Sequence, residues 1–232
     1  MTTTTYISEV SSPKRYEKRR EAFVHAAAAV FAEKGFHGAS TQDIANRLGI
    51  NQAALYYYFP SKEAALEAVC YYGISHAVER IRQVVTGDLP LRETLPRIFF
   101  SQIAGWQMHC DHLTVYQQER HLLSGERRER IREESRNYER LILGLLRNAK
   151  RRGEISPEVD VQLANRALVS LGSSVIGLYR RGEIHDIEYI ARQFSRLFYS
   201  GIRPQPPAGK SAPVEVSQPH RRSHSRRQSP RS

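Results

Sequence analysis

The sequence predicts an all-α chain of nine helices in two domains. Three observations carry that class. Apolar residues recur at helical spacing from Phe23 to Phe198, and no stretch alternates as a half-buried strand would. N-cap residues (Ser40, Asn51, Ser61, Asp186) stand before these stretches, and Gly35, Gly49 and Gly182 close others. A length of 232 residues with 40% hydrophobic and 25% charged residues allows one large or two modest cores.

Residues 1–13 are rich in Thr and Ser and are expected to be disordered. The first helix opens on Lys14, Arg15, Lys18, Arg19 and Arg20, carries Phe23, Ala27, Val30 and Phe31 on one face, and ends at Gly35. The basic cluster is either a solvated helix start or an arm touching phosphates or the minor groove. Ser40 caps the second helix, and Asp43 suits its first turn. Gly49 ends it in the left-handed region. Asn51 caps a third helix, Gln52 to Tyr58, which Pro60 stops at Phe59. Residues 14–60 thus form one unit and 61–203 a second.

In the second unit Ser61 caps a long fourth helix to Val85. Asp88 is expected to cap the fifth, with Pro90 in its first turn; Pro96 either kinks that helix or marks its true beginning. The fifth ends near Cys110, the sixth spans Asp111 to Leu123, and the seventh runs from Ser124-Gly125 to Arg152. Ser156-Pro157-Glu158 begins the eighth, which ends near Gly182, and Asp186 caps the ninth. The eighth helix is apolar on too many sides to lie alone on a surface. Its Gly172, Ser173, Ser174 and Gly177 allow close approach, so with the ninth it is expected to form a two-fold homodimer interface.

The second and third helices have the spacing of a helix-turn-helix, with Ala45, Gly49 and Leu55 at the elbow. Any helical hairpin with a Gly turn shares that spacing. The outer face is more specific. Gln52, Ala53, Tyr56 and Tyr57 fall where a recognition helix meets base edges, and Gln pairs bidentately with adenine. Lys62 is expected to reach a phosphate. Three consecutive tyrosines cannot all be core on one short helix.

Residues 19–66 contain FAEKGF, then T-x-x-I-A-x-x-L-G, then LYYYFPSKEAL. In order and spacing this stretch resembles the DNA-binding domain of the tetracycline-repressor-like (TetR) family of bacterial transcription regulators. The resemblance implies a homodimeric repressor of a double-stranded DNA operator, released by a ligand. It places Thr41 near phosphate, Asn51, Gln52, Ala53 and Tyr56 at bases, and Tyr57 and Lys62 on the backbone. Many members carry Ser or Thr at the position of Asn51 and His at that of Tyr57 or Tyr58, so the operator sequence does not carry over. Farther on, YQQERHLLSGERRERIREESRNYERLI, GEISPEVDVQLANRALV and QFSRLFYSGI are similar to the subgroup that senses acyl-CoA thioesters. That resemblance implies a small hydrophobic effector whose phosphates pair with Arg120, Arg180 or Arg181. SSVIGLYRR stands where the subgroup often carries an Asn-Trp and aromatic cluster, so the acyl group does not carry over.

A ligand cavity is expected among the fifth to eighth helices. Its candidate lining is Trp106, Met108, His109, Tyr116, Leu141, Leu145, Val169, Ser173 and Tyr179, each of which also reads as plain core. His109-Cys110-Asp111-His112 lacks a second ligand pair, so no metal is expected, and no cofactor either. No phosphate loop, nucleophile elbow or supported carboxylate pair is evident, which argues against an enzyme. No apolar run is long enough to span a membrane. MTTTTYISEV lacks signal-peptide character, and Cys70 and Cys110 read as reduced thiols, so a cytoplasmic protein is expected. The Pro-, Ser- and Arg-rich tail, 204–232, cannot bury a core; residues 203–232 carry +6 of the net charge of +11. The tail is either inert or a nonspecific DNA attractor. A sequestering protein with a vestigial DNA module is the alternative function.

Overall fold

The computed structural model describes residues 13–175 and 186–205. Among them are eight α-helices, one 3-10 turn and no strand. The helices are α1 (Pro13–Gly38), α2 (Thr41–Leu48), α3 (Gln52–Tyr58), α4 (Lys62–Val85), α5 (Leu91–Glu119), α6 (Gly125–Arg151), α7 (Val161–Ser173) and α8 (Ile187–Ile202). The N-terminal residues, the tail beyond Gln205, Gly177, Tyr179, Arg180 and Arg181 lie outside the described residues. Among the described residues no helix is long and apolar enough to cross a membrane.

The elbow forms as its residues require. Ser40 and Asp43 make a capping box: Ser40 Oγ accepts the Asp43 N–H at 3.1 Å, and Asp43 Oδ2 accepts the Ser40 N–H at 2.8 Å. Lys34 Nζ adds an ion pair at 2.6 Å. Its hydrogen bond, with those from Ser40, holds the Asp43 carboxyl down at about 2. Gly49 ends α2 at φ 66°, where a side chain would be strained. Asn51 Oδ1 accepts the Ala54 N–H at 2.8 Å and starts α3. Ala45 and Leu55 are fully buried. Burial of a leucine side chain is worth about 2–3 kcal/mol, so Leu55 alone anchors much of this short helix.

Among the described residues there are eight helices against the nine expected; the expected fifth and sixth run on as α5, bent at His109, one residue before the expected boundary at Cys110. Only His109 (φ −135°, ψ 39°) leaves helical geometry within α5, and the chain bends there without breaking. Pro96 neither starts nor kinks the helix. It removes a single hydrogen bond near the helix start, where little structure precedes it. Asp88 does not cap α5: it pairs with Arg152 at 3.3 Å, Pro90 holds the cap position, and the Glu154 carboxylate takes the Leu91 N–H. Ser156-Pro157-Glu158 is a turn, and Asp160 starts α7 by accepting from Gln162 N–H at 2.7 Å.

Two apolar clusters hold the chain. The first joins Phe23, Val30 and Phe31 of α1 to Ile44, Leu55 and Phe59, and continues onto Leu66, Val69 and Cys70 of α4. The second gathers Ile81, Leu95, Phe99, Ile103, Ile142 and Leu168. α4 runs through both, so any tilt of α4 in the second cluster is felt in the first. α5 adds a tie to α1, since Glu119 Oε1 accepts the Phe36 N–H at 3.3 Å. Burial pushes the Cys70 thiol up to about 12, leaving it an inert core group.

Candidate nucleic-acid interface and effector cavity

α3 presents a small polar and aromatic face. Gln52 Nε2 donates to Thr41 Oγ1 at 2.6 Å, and the Tyr56 hydroxyl lies 3.4 Å from the same oxygen. Thr41, Gln52 and Tyr56 are thereby held as one cluster across the elbow. Ala53 is exposed beside them, and Asn51 is exposed with its oxygen committed to the cap. Tyr57 is 73% exposed and Tyr56 46%. Tyr58 turns the other way: its ring lies 4.4 Å from that of Phe23 and stacks on Tyr16 at 5.1 Å. The tyrosine run therefore splits, two to the surface and one to the core.

Lys62, expected at a phosphate, has its ammonium engaged within the protein. Nζ donates to the carbonyls of Phe36 at 2.8 Å and Ala39 at 2.9 Å and lies 4.4 Å from the Phe36 ring centroid. Those carbonyls lie past Gly35, where the backbone of α1 leaves helical geometry at φ 69°, on the way to α2. Lys62 thus ties α4 to α1. The N-terminal basic cluster forms the first exposed turns of α1, and Tyr16 sets it against Tyr57 at 6.2 Å.

A cavity of about 320 Å³ opens among α4, α5, α6 and α7. Of the expected lining, Trp106, Tyr116, Arg120, Val169 and Ser173 are present. Four others are not. Leu145 is buried in the second cluster, with Leu141 packed against it. Met108 is 67% exposed, on the far side of α5 from the cavity. His109, at the bend, faces α4 instead. There His25, His76, His109 and His112 surround the ring of Tyr72, with centroids 5.1, 4.0, 5.5 and 4.6 Å away. His25 Nδ1 and His112 Nε2 share a hydrogen bond at 3.0 Å, joining α1 to α5. Burial, then the charges of Arg80 and the other histidines, holds His109 down to about 4; burial, then His25, holds His112 down to about 3. Among the described residues no three His, Cys, Asp or Glu side chains are placed to hold a metal ion.

The spacing of apolar residues did not reveal the polar wall of the cavity. Gln102 Nε2 donates to the Tyr138 hydroxyl at 2.8 Å, and Tyr116 bonds Ser135 at 2.8 Å. Burial pushes the Tyr138 hydroxyl up to about 12 and raises Tyr116, so both stay neutral donors. Two glycines make room. A Cβ at Gly105 would fall on the Arg80 guanidinium, and one at Gly172 on the Gln102 amide. Gly172 therefore serves the cavity and not a dimer face as expected. At its outer end the cavity shares Tyr116, Arg120, Ser135 and Glu139 with a groove of about 440 Å³, whose other walls include His121, Arg128, Arg132 and Arg136.

The outward sides of α7 and α8 leave large apolar groups uncovered: Leu163 is 63% exposed, Tyr189 55% and Leu197 67%. Ala167, Ser170 and Ser174 continue the exposed side past Leu163 at helical spacing.

Residues 23–69 match the family described as bacterial regulatory proteins, tetR family, and residues 88–202 match the tetracyclin repressor-like C-terminal domain. The HTH-type transcriptional repressor KstR2 of Rhodococcus jostii is 26% identical over 185 residues, which span 79% of this chain and 91% of that protein. The ketosteroid transcriptional regulator KstR2 of Mycobacterium tuberculosis has a similar structure, with a TM-score of 0.72 at 25% identity, covering 81% of this chain and 96% of that one. FadR from Bacillus subtilis, solved in complex with stearoyl-CoA, shares the fold with a TM-score of 0.67 at 23% identity, covering 79% and 99%. With both halves matched in order, the chain belongs to the TetR family of bacterial regulatory proteins.

Proposed function

We propose that the chain is a homodimeric repressor that reads a palindromic operator through α3 and is released by an acyl-CoA thioester. The observation that carries the effector class is the continuity of a mostly apolar cavity with an arginine-rich groove. An acyl chain suits the first, and the phosphates of coenzyme A suit Arg120, Arg128, Arg132 and Arg136. Thr41, Gln52, Ala53, Tyr56 and Tyr57 face the DNA, Asn51 holds the helix start, and Lys62 supports the face from behind. Residues 14–60 act as the DNA module and 61–203 as the effector and dimer body. The protein works in the cytoplasm, as a regulator with no reaction of its own.

Release is a shift of population. The effector must bind one geometry of the pair better than the DNA-bound one. Trp106 and Leu113 of the cavity flank the bend at His109, and His112 there holds His25 of α1. Filling the cavity straightens or deepens that bend and moves α1 and α4 with it. Duplexes selected from random DNA, then run in a mobility shift with stearoyl-CoA or coenzyme A alone, test this. We expect one palindrome, released by the thioester and not by coenzyme A. Release by neither would sink the effector assignment, and selection of no palindrome would sink the repressor.

A further inference from the structure

Arg80 gives the cavity a charge that a hydrocarbon chain has no use for. It leaves α4 and, with Ser101, forms the partition between the effector cavity and a second, open groove beside α8. Loss of hydration lowers its pKa, so water does not fully compensate its charge. Among the described residues the guanidinium has no ion pair and no hydrogen bond, and Nε is buried without a partner. The neighbours that act on its charge are Tyr138 and Tyr72, with no carboxylate among them. The Gln102 amide beside it has Oε1 equally unpartnered. The guanidinium packs directly on Gly105 of α5, and any larger residue there would displace it.

A half-buried cation kept unpaired is costly unless something else supplies its counter-charge. We infer that Arg80 binds a carboxylate carried by the buried part of the effector, at the end remote from the arginine-rich groove. The guanidinium offers two parallel N–H groups to the two oxygens, which fixes the carboxylate's orientation. The inference rests on the cavity being the effector site. It narrows the effector to thioesters of dicarboxylic acids, against simple fatty acyl groups.

Trp106 reports on the site directly, because it is the chain's single tryptophan and lines the cavity. Its fluorescence is to be titrated with dodecanoyl-CoA, dodecanedioyl-CoA and the two free acids, without DNA. In the native chain the dicarboxylic thioester is expected to bind at least about tenfold tighter than its monocarboxylic partner, the scale of a charge-assisted pair. Arg80→Met should reverse the order, weakening dodecanedioyl-CoA and strengthening dodecanoyl-CoA. Gly105→Ala keeps the arginine but moves it, and should erase most of the preference; thermal melts check that both variants fold. Equal affinity of the two thioesters for the native chain, or the same preference in Arg80→Met, overturns the inference and leaves the acyl-CoA assignment standing. Binding of free dodecanedioate with no response to either thioester supports Arg80 as a carboxylate site and overturns the acyl-CoA assignment. No response to any of the four contradicts both.

Discussion

At the scale of single residues Tyr57 and Lys62 differ in what they touch: Tyr57 is open to solvent, and the Lys62 ammonium is bound to the carbonyls of Phe36 and Ala39. Tyr57 is exposed, and among the described aromatic rings it meets Tyr16 and Tyr58 edge-on. Tyr57→Ala should weaken operator binding by about 1–3 kcal/mol while leaving the melting temperature unchanged. Lys62→Met should instead lower stability by about 1–3 kcal/mol, because two carbonyls lose a charged donor. Mobility shifts and thermal melts of both variants check the pair; a Lys62→Met chain that melts like the native one would return Lys62 to a phosphate role. Helical periodicity placed Gln52, Ala53, Tyr56 and Tyr57 on one side of α3, whereas Thr41, on α2, was expected beside them only from the family resemblance. It also singled out Tyr57 and left Tyr58 off that face, but could not show what Tyr58 or Lys62 packs on, because those contacts depend on Tyr16, Phe23 and Phe36 brought from α1. Arg80 was invisible for the same reason: its isolation is apparent only once Gly105 is known to face it.

Helix ends were legible where one cap residue had no rival. Ser40, Asn51, Ser61 and Asp186 each accept backbone N–H groups as their sequence context requires. Where two candidates competed, tertiary contacts decided. Asp88 was drawn off by Arg152, and Glu154 took over the start of α5. The bend at His109 falls where the sequence placed the boundary of a fifth and a sixth helix, at Cys110 and Asp111, although neither Gly nor Pro marks it. Its setting has a measurable consequence. His109 and His112 stay neutral in the fold, their values lowered to about 4 and about 3. Around them are His25 from α1 and Tyr72, His76 and Arg80 from α4. In the unfolded chain each histidine takes a proton below about pH 6.5. The unfolded state therefore binds more protons as pH falls. Stability from this cluster is complete above pH 6.5 and is lost progressively from there toward pH 4 and below. Melting temperatures should fall between pH 7.5 and 5, and the fall should shrink in His112→Gln. A flat profile, or one rising toward acid, would show that the cluster is not held neutral.

At the scale of the whole molecule, one short helix is too small a reader. α3 has seven residues, and such a helix reaches only a few base pairs. The uncovered Leu163, Tyr189 and Leu197 on α7 and α8 suit a surface that meets its own copy. In the proposed repressor a two-fold pair on that surface sets the two α3 helices at a fixed separation, which the effector is proposed to change. The most direct test is the affinity for the selected palindrome as its half-sites are moved apart. Inserting about 5 base pairs, half a helical turn, puts the second half-site on the opposite face of the duplex. The account predicts that this insertion abolishes high-affinity binding, with two chains bound per duplex before it. Undiminished affinity after the insertion, or one chain per duplex, would contradict it.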